Sequence, residues 1–404
     1  MKEKLKERQV REALTKHIEK IYPSKEALER ILRSGKKLTI YWGADPTSPD
    51  IHLGHSTNFF VLRRFQNLGH KIVVLIGDYT AQIGDPSGQD KSRRMLTEKE
   101  VKRNYKTYKQ QILKILDSKK TIFRFNSDWW NKMSAKKLLA LDNLFTQQQM
   151  IERDMFQRRI KENKPISIKE FQYPLLQGYD SVALKTDIEL GATDQLFNML
   201  VGRELVKIFL KKEKFVVTTP LLINPETGRK LMSKSEGNCV SLQDNSKQMY
   251  GKIMALSDEV IVKCFKLCTD LPEEKIKKIE LRLKSCENPR DLKSELAYEI
   301  VKMYHGEKKA KEAEGEFNRV FQKHELPGKI SEVILKAGAY NIINLLVLTK
   351  MAASKSEARR LVLGKAVKIN GQKINDFKLK VEISPESVIQ VGKRHFMKIK
   401  IGKL

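Results

Sequence analysis

The sequence has 404 residues, 40% of them hydrophobic and 31% charged, which is enough for two or three domains with buried cores. No apolar run reaches the roughly 18 residues that a membrane-spanning helix needs, and four cysteines in a chain of this length argue against a disulfide scaffold. The net charge of +29 indicates a polyanionic partner, either a nucleic acid or an anionic membrane, unless lysine is simply common throughout the chain.

The positive charge is concentrated at the C-terminal end. Residues 341–404 carry eleven Lys and three Arg against four acidic residues, a net charge of +10, whereas the other 340 residues carry +19. A uniform lysine bias does not predict this difference in density. We therefore expect the C-terminal segment to contact a polyanion.

The N-terminal residues and the cysteines are less informative. Residues 1–35 are polar with apolar residues at helical spacing, and residues 1–19 lack the apolar region of a signal peptide, so we expect a cytoplasmic protein that begins with helical structure. Cys264 and Cys268 are four residues apart. We interpret them as buried thiols rather than a metal site, because no second Cys or His pair follows.

A strand–helix–strand pattern follows. Residues 38–42 are apolar and β-prone, an amphipathic helix is predicted from about His52 to Leu68, Gly69 ends it, and residues 71–76 form another β-rich run. Short connections between these elements predict a parallel βαβ unit. The remaining predicted elements are helices at 97–116 and 135–162, a β-rich run at 215–223, an all-helical region from about 246 to 325, short helices at 342–348 and 354–363, and a hairpin around Asn370-Gly371.

His52-Leu53-Gly54-His55 lies where the loop after the first strand meets the helix. A helix N-terminus attracts phosphate through its N–H groups and dipole, and two imidazoles three residues apart share one face. Gly54 leaves room for a flat group such as adenine. Two unrelated histidines and a metal site are the alternatives; the metal site lacks an obvious third ligand.

A second candidate is the polar loop at residues 230–238, Lys-Leu-Met-Ser-Lys-Ser-Glu-Gly-Asn. A lysine on such a loop can neutralise a pyrophosphate leaving group in the transition state. Taken alone, the loop is better explained as a solvated basic surface. Its combination with His-x-Gly-His about 180 residues upstream makes the signal specific.

These motifs resemble the two signatures of class I aminoacyl-tRNA synthetases, with His52–His55 similar to HIGH and residues 231–235 similar to KMSKS. Leu231 replaces the first signature lysine, and Lys230 precedes it. The surrounding residues are similar to the tyrosyl-tRNA synthetase family. They are Tyr41-x-Gly-x-Asp-Pro-Thr, Gly77-Asp-Tyr-Thr, Ile83-Gly-Asp-Pro-Ser, Tyr173-Pro-Leu-Leu-Gln-Gly-Tyr-Asp and Gly191-Ala-Thr-Asp-Gln.

The resemblance implies a site for L-tyrosine. Recognising tyrosine against phenylalanine requires hydrogen bonds to the phenol, and Tyr41 and Asp180 match the family positions that meet it. Asp85, Tyr173 and Gln177 match positions that bind the ammonium group, and Gln195 a position near the carboxylate. Each of these residues has a structural alternative, such as a turn or helix cap for the aspartates.

The resemblance also implies ATP as a substrate, accompanied by Mg²⁺, with no tightly bound cofactor and no protein-held metal. Catalysis then consists of positioning and electrostatics. The residues assigned to catalysis are Thr47, His52, His55 and Lys234, with Arg93 as a possible helper. The residues assigned to ATP binding are Gly43, Asp45, Gly54, Asp194, Met232, Ser233 and Lys234.

From this likeness we expect three domains: a Rossmann-like parallel-sheet catalytic domain (1–245), an α-helical anticodon-binding domain (246–335) and a small α/β RNA-binding domain (340–404). Residues 354–374 resemble a small RNA-binding domain named after a ribosomal small-subunit protein. The predicted RNA contacts are Lys355, Arg359, Arg360, Lys365 and Lys368. The expected partners are L-tyrosine, ATP, tRNA(Tyr) and a second copy of the chain, joined through residues 130–165, with no membrane.

Three other functions stay open at this point. A tryptophanyl-tRNA synthetase shares both signatures, but Tyr41 with Asp180 argues against it. A synthetase-like RNA-binding protein without catalysis is disfavoured by the presence of His52, His55 and Lys234. A nucleotidyltransferase acting on a small metabolite leaves the basic C-terminal segment without a purpose.

Overall fold

The computed structural model describes residues 2–87, 95–232, 239–285, 287–321, 331–392 and 395–402. The chain divides into two compact units, residues 1–313 and 314–404. The division into catalytic, anticodon-binding and RNA-binding domains stays a prediction.

The first unit combines one sheet with many helices. Its strands are β1 (Lys20–Tyr22), β2 (Thr39–Ala44), β3 (Lys71–Ile76), β4 (Thr121–Phe125), β5 (Ile188–Ala192) and β6 (Phe215–Thr219). Its helices are α1 (Lys2–Ala13), α2 (Lys25–Arg33), α3 (Leu53–Asn67), α4 (Thr80–Ile83), α5 (Glu98–Tyr105), α6 (Tyr108–Ile112), α7 (Ser127–Trp130), α8 (Ala135–Asp142), α9 (Gln147–Ile151), α10 (Asp154–Lys161), α11 (Ile168–Ala183), α12 (Leu196–Leu210), α13 (Ser246–Met254), α14 (Ile261–Cys268), α15 (Glu273–Lys284), α16 (Pro289–His305) and α17 (Glu307–Phe321), which crosses the division between units. Short 3₁₀ helices lie at Thr193–Gln195 and Asp258–Val260.

The sheet has the order β1-β6-β5-β2-β3-β4, and every pair is parallel except β1 with β6. Its central strands are almost entirely buried, as expected for a parallel sheet covered on both faces. Strands β2, β3 and β4 follow one another towards one edge of the sheet. The chain then returns to the other side of β2, where it forms β5 and β6. Ligands of such sheets bind where the order reverses, at the carboxyl ends of the strands. The predicted Rossmann-like fold is confirmed.

The helix α3 forms as its sequence predicts. His52 is its N-cap, and Phe59, Leu62 and Phe65 on its inner face are fully buried. Gly69 follows its end with φ +81°, a conformation that glycine adopts without steric cost. The βαβ unit of β2, α3 and β3 is therefore confirmed.

Three predicted elements were wrong in detail. The helix at 97–116 is two helices, α5 and α6, because the chain breaks at Thr107, whose hydroxyl bonds the carbonyl of Pro49. The helix at 135–162 is three helices, and α9 begins at a new capping box formed by Thr146 and Gln149. The first 35 residues contain β1, a strand whose hydrogen-bonding partner lies almost 200 residues away.

Helices α11 and α12 pack unusually closely. A Cβ atom at Gly178 would lie 3.1 Å from the backbone nitrogen of Gly202 and 2.9 Å from Leu205. Small residues at the crossing let the two backbones approach each other. The crossing places one face of α11 beside β5, and this face carries much of the polar site described below.

Residues 246–321 are helical, as predicted, and Cys264 and Cys268 of α14 are buried in this region. The second unit contains strands and short helices around its own apolar core. Its elements are β7 (Ser331–Leu335), β8 (Gly338–Asn341), α18 (Ile342–Leu348), α19 (Lys355–Leu363), β9 (Val367–Ile369), β10 (Gln372–Ile374), β11 (Lys380–Ile383), β12 (Val388–Val391) and β13 (His395–Ile401).

The predicted elements of the second unit are confirmed. Helix α19 has Ser354 as its N-cap, and Asn370 and Gly371, both with positive φ, join β9 to β10. This is the conformation that a two-residue hairpin turn requires. The sequence did not reveal β7, β8 and β11 to β13, which complete sheets of five and two strands.

Candidate active site

A cavity of about 560 Å³ opens where the strand order reverses, between the carboxyl ends of β2 and β5. Every predicted site residue of the first unit that the structure describes lines it: Tyr41, Gly43, Asp45, Thr47, His52, Gly54, His55, Asp85, Tyr173, Gln177, Asp180, Asp194, Gln195 and Met232. Ser233, Lys234 and Arg93 lie outside the described residues. Residues spread over almost 200 positions thus meet in one place.

The deepest wall of the cavity carries Tyr41 from β2 and Asp180 from α11, which are 1% and 3% exposed. The hydroxyl of Tyr41 lies 3.1 Å from Ser181 Oγ. The indole N–H groups of Trp129 and Trp130 both donate to Asp180 Oδ1 at 2.8 Å, and the amide of Asn126 donates to Oδ2 at 3.2 Å. Three donors from one short segment therefore fix the position of this carboxyl group.

Burial dominates the electrostatics of this wall. Removal from water raises the pKa of Asp180 to about 8, although the three donated hydrogen bonds oppose the shift. Burial also raises the pKa of Tyr41 well above its ordinary value, and the nearby carboxyl groups of Glu189 and Asp180 add to this. Both groups therefore carry a proton over most of the neutral pH range, and each can donate to a ligand or accept from it.

The side wall is a network of amides and a carboxylate. Gln195 Nε2 donates to Asp85 Oδ2 at 2.8 Å, and the backbone N–H of Ser87 donates to Asp85 Oδ1 at 2.9 Å. Asn198 Nδ2 lies 2.9 Å from Gln177 Oε1 and 3.3 Å from Gln195 Oε1. The predicted ammonium-binding and carboxylate-binding residues are thus joined to one another by hydrogen bonds.

Asp45 follows β2 and connects the side wall with the outer part of the cavity. Tyr173 donates its hydroxyl to Asp45 Oδ2 at 2.9 Å, and Thr80 donates to Oδ1 at 2.7 Å. A Cβ atom at Gly77 would overlap the carboxylate of Asp45 and the hydroxyl of Thr80. Glycine at position 77 is therefore a steric requirement of this contact.

The N-terminus of α3 forms the outer end of the cavity. The backbone N–H of Gly54 donates to His52 Nδ1 at 3.2 Å, so a neutral His52 carries its ring proton on Nε2. The rings of His52 and His55 lie 4.0 Å apart. A Cβ atom at Gly54 would lie 3.0 Å from the His52 ring and 3.8 Å from Met232, so glycine keeps this corner open.

Lys230 and Leu231, at the start of the second motif, lie in different environments. The Lys230 ammonium donates to Asp194 Oδ2 at 2.7 Å and lines the cavity, whereas Leu231 is buried, with its backbone bonded to Leu222. Lys230 therefore supplies a positive charge at the cavity where Leu231 cannot.

Sequence reasoning missed several polar residues of the site. Asn126, Trp129 and Trp130 position Asp180, and nothing in their spacing indicates this because α7 meets α11 only in the folded chain. Glu189 lies in the buried strand β5 and lines the cavity. The sequence did contain a signal for Glu189, because a single carboxylate between Ile188 and Leu190 interrupts an otherwise apolar strand and is unusual there.

The predicted RNA contacts belong to the second unit. Lys355, Arg359, Arg360 and Lys365 are exposed, and Lys368 is half-buried in β9. Lys355 and Arg359 line an open groove of about 530 Å³ with Phe377 and Lys378, and the guanidinium of Arg359 lies 4.2 Å from the ring centre of Phe377. The groove combines positive charge with a flat stacking surface.

Within the described part of the chain, no group of three or more His, Cys, Asp or Glu side chains is arranged to bind a metal ion. No helix among these residues has the length and apolar character needed to cross a membrane.

The chain matches two protein families along almost its whole length. Residues 33–322 match the class I tRNA synthetases of the tryptophan and tyrosine type, and residues 323–403 match a C-terminal domain described as tyrosine–tRNA ligase SYY-like. The tyrosine–tRNA ligase of Thermotoga maritima is 46% identical over 391 residues, covering 96% of this chain and 97% of its own. That of Moorella thermoacetica is 45% identical over 373 residues, covering 92% and 90%.

Solved structures support the fold independently. A C-terminally truncated mitochondrial tyrosyl-tRNA synthetase of Aspergillus nidulans aligns with a TM-score of 0.64 at 24% identity, covering 79% of this chain and all of its own. The Archaeoglobus fulgidus tyrosyl-tRNA synthetase, in complex with L-tyrosine, gives a TM-score of 0.61 at 21% identity over 77% of this chain and all of its own. The family matches and the close relatives establish that the chain belongs to the tyrosine–tRNA ligases of the class I tRNA synthetase family.

Proposed function

We propose that the cavity at the switch point of the sheet activates L-tyrosine with ATP and then transfers the tyrosyl group to the 3′ end of tRNA(Tyr). The observation that carries the proposal is the convergence of the fourteen predicted and described residues on one cavity. Its volume, about 560 Å³, lies in the range typical of sites that enclose a small-molecule ligand.

The buried end binds the amino acid. Tyr41 and Asp180 bind the phenolic hydroxyl, and a phenylalanine side chain in their place leaves buried polar groups unpaired, which is costly. Asp85, Tyr173 and Gln177 bind the α-ammonium group, and Gln195 lies near the carboxylate. The hydrogen bonds among these side chains support the assignment, because they preorganise the pocket before the substrate enters.

The outer end binds ATP. Thr47, His52, His55 and the N-terminus of α3 bind phosphate oxygens, while Gly54, Gly43 and Met232 leave a surface for the adenine ring. Asp45 and Asp194 are placed to bind the ribose and the nearby phosphate region. Lys230 provides charge beside Asp194, and the resemblance assigns Ser233 and Lys234 to the pyrophosphate.

The magnesium ion arrives with ATP. Mg²⁺ in such sites is bound mainly by substrate phosphate oxygens and water, with one or two carboxylates from the protein. It would neutralise charge on the leaving pyrophosphate. Of the carboxylates that line the cavity, those of Asp45 and Asp194 would supply oxygen ligands at the end assigned to ATP.

The first reaction joins a tyrosine carboxylate oxygen to the α-phosphorus of ATP, and the bond to the pyrophosphate oxygen breaks. In the second, a hydroxyl of the terminal tRNA ribose attacks the tyrosyl carbonyl, and AMP leaves. Neither step needs a protein nucleophile. The protein contributes orientation of the two substrates and positive charge where negative charge develops.

The remainder of the chain binds tRNA. The helices from residue 246 onward contact the anticodon region, and the second unit binds RNA through Lys355, Arg359, Arg360, Lys365 and Lys368. Net charge of +10 over residues 341–404 and the groove beside Phe377 support this assignment. Phosphate contacts attract the RNA, and an Arg-covered aromatic ring suits an unstacked base.

The protein acts as a cytoplasmic homodimer. Leu139, Leu144 and Ile160 are large apolar side chains that are exposed in the single chain, and they fall within residues 130–165. Burial of this surface against a second copy removes it from water. Sedimentation equilibrium should give twice the chain mass of 46.8 kDa, and a stable monomer at micromolar concentration would contradict the assignment.

Pyrophosphate exchange tests the proposal. We expect radiolabelled pyrophosphate to enter ATP in the presence of tyrosine, and of none of the other nineteen standard amino acids, without tRNA. Exchange with tryptophan would agree with the class I family but would contradict the assignment of the pocket to tyrosine. A folded protein that exchanges with no amino acid has a role in RNA binding rather than catalysis.

A further inference from the structure

A fully buried ion pair lies directly behind the tyrosine end of the cavity. Lys214 Nζ contacts Glu189 Oε2, and the two side chains are 0% and 2% exposed. Glu189 belongs to β5 and lines the cavity, whereas Lys214 precedes β6 and lies behind that lining. A buried charge is tolerated only beside an opposite charge, and Lys214 supplies that charge to the Glu189 carboxylate.

Both oxygens of Glu189 are connected to residues that we assigned to tyrosine binding. Gln177 Nε2 donates to Glu189 Oε1 at 3.0 Å. Ser181 Oγ lies 3.1 Å from Glu189 Oε2 and 3.1 Å from the Tyr41 hydroxyl, and Lys214 Nζ donates to the same Ser181 Oγ at 2.8 Å. The ion pair thus reaches the ammonium-binding and phenol-binding parts of the pocket.

The charge of Glu189 decides how the Gln177 amide is oriented. An ionised carboxylate can only accept hydrogen bonds, so it must receive the NH₂ group of Gln177. The carbonyl oxygen of Gln177 then lies on the other side, where it accepts from Asn198 and has a second lone pair. A protonated Glu189 can donate instead, which permits the opposite amide orientation.

The packing around Lys214 shows that space is reserved for it. A Cβ atom at Gly202 would lie 2.6 Å from Lys214 Nζ and 3.0 Å from Ser181 Oγ. The close crossing of α11 and α12 at Gly178 and Gly202 leaves a slot through which the lysine reaches β5. Burial lowers the pKa of Lys214, and the facing Glu189 opposes that shift.

We propose that Lys214 is a positioning residue for tyrosine binding, which pairs with the Glu189 carboxylate and so presents the Gln177 carbonyl oxygen to the substrate ammonium group. The inference rests on the proposed assignment of Gln177. Three other ionisable groups face the pair from the neighbouring elements: Tyr41 of β2, Asp180 of α11 and Arg203 of α12.

The test is Lys214→Met, which preserves the length and removes the charge. We expect the KM for tyrosine in pyrophosphate exchange to rise about tenfold, the factor for weakening one hydrogen bond to a charged group, with the KM for ATP unchanged.

Arg203→Met is the matched control, since it removes a nearby ion pair with Glu213 that is partly exposed. It should leave both KM values unchanged. An unchanged tyrosine KM in Lys214→Met, or a rise in both KM values, would mean that Lys214 only supports packing and would overturn the inference.

The double variant Lys214→Met with Glu189→Gln keeps the test decisive if the single variant does not fold, because it leaves no unpaired buried charge. Its tyrosine KM should exceed that of the wild type with the ATP KM unchanged, because an amide at position 189 can donate as well as accept and no longer fixes the orientation of Gln177. A wild-type tyrosine KM in the double variant contradicts the inference. If the wild type itself fails to exchange with tyrosine, the proposed function fails; if the wild type exchanges normally and the variants match it, only this inference fails.

Discussion

The two ends of the cavity are built differently. At the tyrosine end, Asp180 is 3% exposed and receives three side-chain hydrogen bonds, and Tyr41 is joined through Ser181 to a buried ion pair. At the ATP end, Thr47 is exposed, and the Lys230 side chain that pairs with Asp194 is 47% exposed. One end is a fixed polar wall, and the other is a helix N-terminus beside a surface ion pair.

This difference follows from what each end has to distinguish. Tyrosine and phenylalanine differ by one hydroxyl group, and only preorganised, buried partners make the absence of that group costly. Phosphates carry large charges that a helix N-terminus and nearby cations attract without close fitting. Substitutions at the buried end should therefore change amino acid selectivity, and those at the outer end should change turnover.

The largest expected effect is at the buried end. Asp180→Ala should lower tyrosine-dependent pyrophosphate exchange by about a thousandfold or more, because the phenol loses its partner and Trp129 and Trp130 lose their acceptor. Binding of tRNA, measured by filter retention, should be unchanged. Asp128→Ala is the control, since its carboxylate is exposed and pairs with Arg124; normal exchange in the Asp180 variant would refute the pocket assignment.

The next effect is at the outer end. His52→Gln should lower kcat for exchange by about a hundredfold, as expected when one donor to a developing charge is lost, with the KM for tyrosine within twofold of the wild type. Steady-state exchange at varied tyrosine and ATP separates the two constants. His395→Gln, an exposed histidine of the second unit, serves as the control. A large rise in tyrosine KM in His52→Gln would show that the two ends are not separate.

A smaller effect tests whether the second unit acts apart from the cavity. Replacing Lys355, Arg359 and Lys368 with Gln should weaken tRNA binding about tenfold and reduce the slope of log K against log salt by about two to three. Both exchange KM values should stay unchanged. The control replaces Lys398 and Lys400, which already pair with Glu386 and Glu332. Unchanged tRNA affinity in the triple variant contradicts the proposed RNA face.

The last prediction concerns stability rather than binding or turnover. Because the pKa of Asp180 is raised to about 8, folding takes up a proton at this site between about pH 4 and 8, so its contribution to stability falls as pH rises through this range. The slope is at most about 1.4 kcal/mol per pH unit. Asp180→Asn removes this contribution, so the stability difference between variant and wild type in urea unfolding should move in the variant's favour from pH 5 to 8. A constant difference would show that Asp180 is ionised throughout.

Local sequence signals predicted the outer end better than the buried end. His52, Gly54 and His55 act within one helix turn, and Gly69 ends α3, so neighbouring residues determine this structure. Asp180 was found through its family motif, but its partners Trp129 and Trp130 depend on how α7 meets α11. Lys214 carries no local signal at all, because a lysine before a strand is ordinarily a solvated residue.

The elements of the fold were also predicted best where neighbouring residues specify them. The βαβ unit and α19 were predicted because caps and periodic apolar residues specify them. The strand β1 was missed because three residues gain their pairing from β6, far along the chain. The break at Thr107 was missed because its hydroxyl bonds Pro49, a contact that only the folded chain creates.

The ratio of kcat/KM for tyrosine to that for phenylalanine, measured by pyrophosphate exchange in the wild type and in Asp180→Ala, tests the account most directly. We predict that the wild type strongly prefers tyrosine and that the variant loses most of this preference, because exchange with tyrosine collapses and exchange with phenylalanine changes little. A variant that keeps the wild-type ratio would contradict the claim that this buried wall recognises the phenolic hydroxyl of tyrosine.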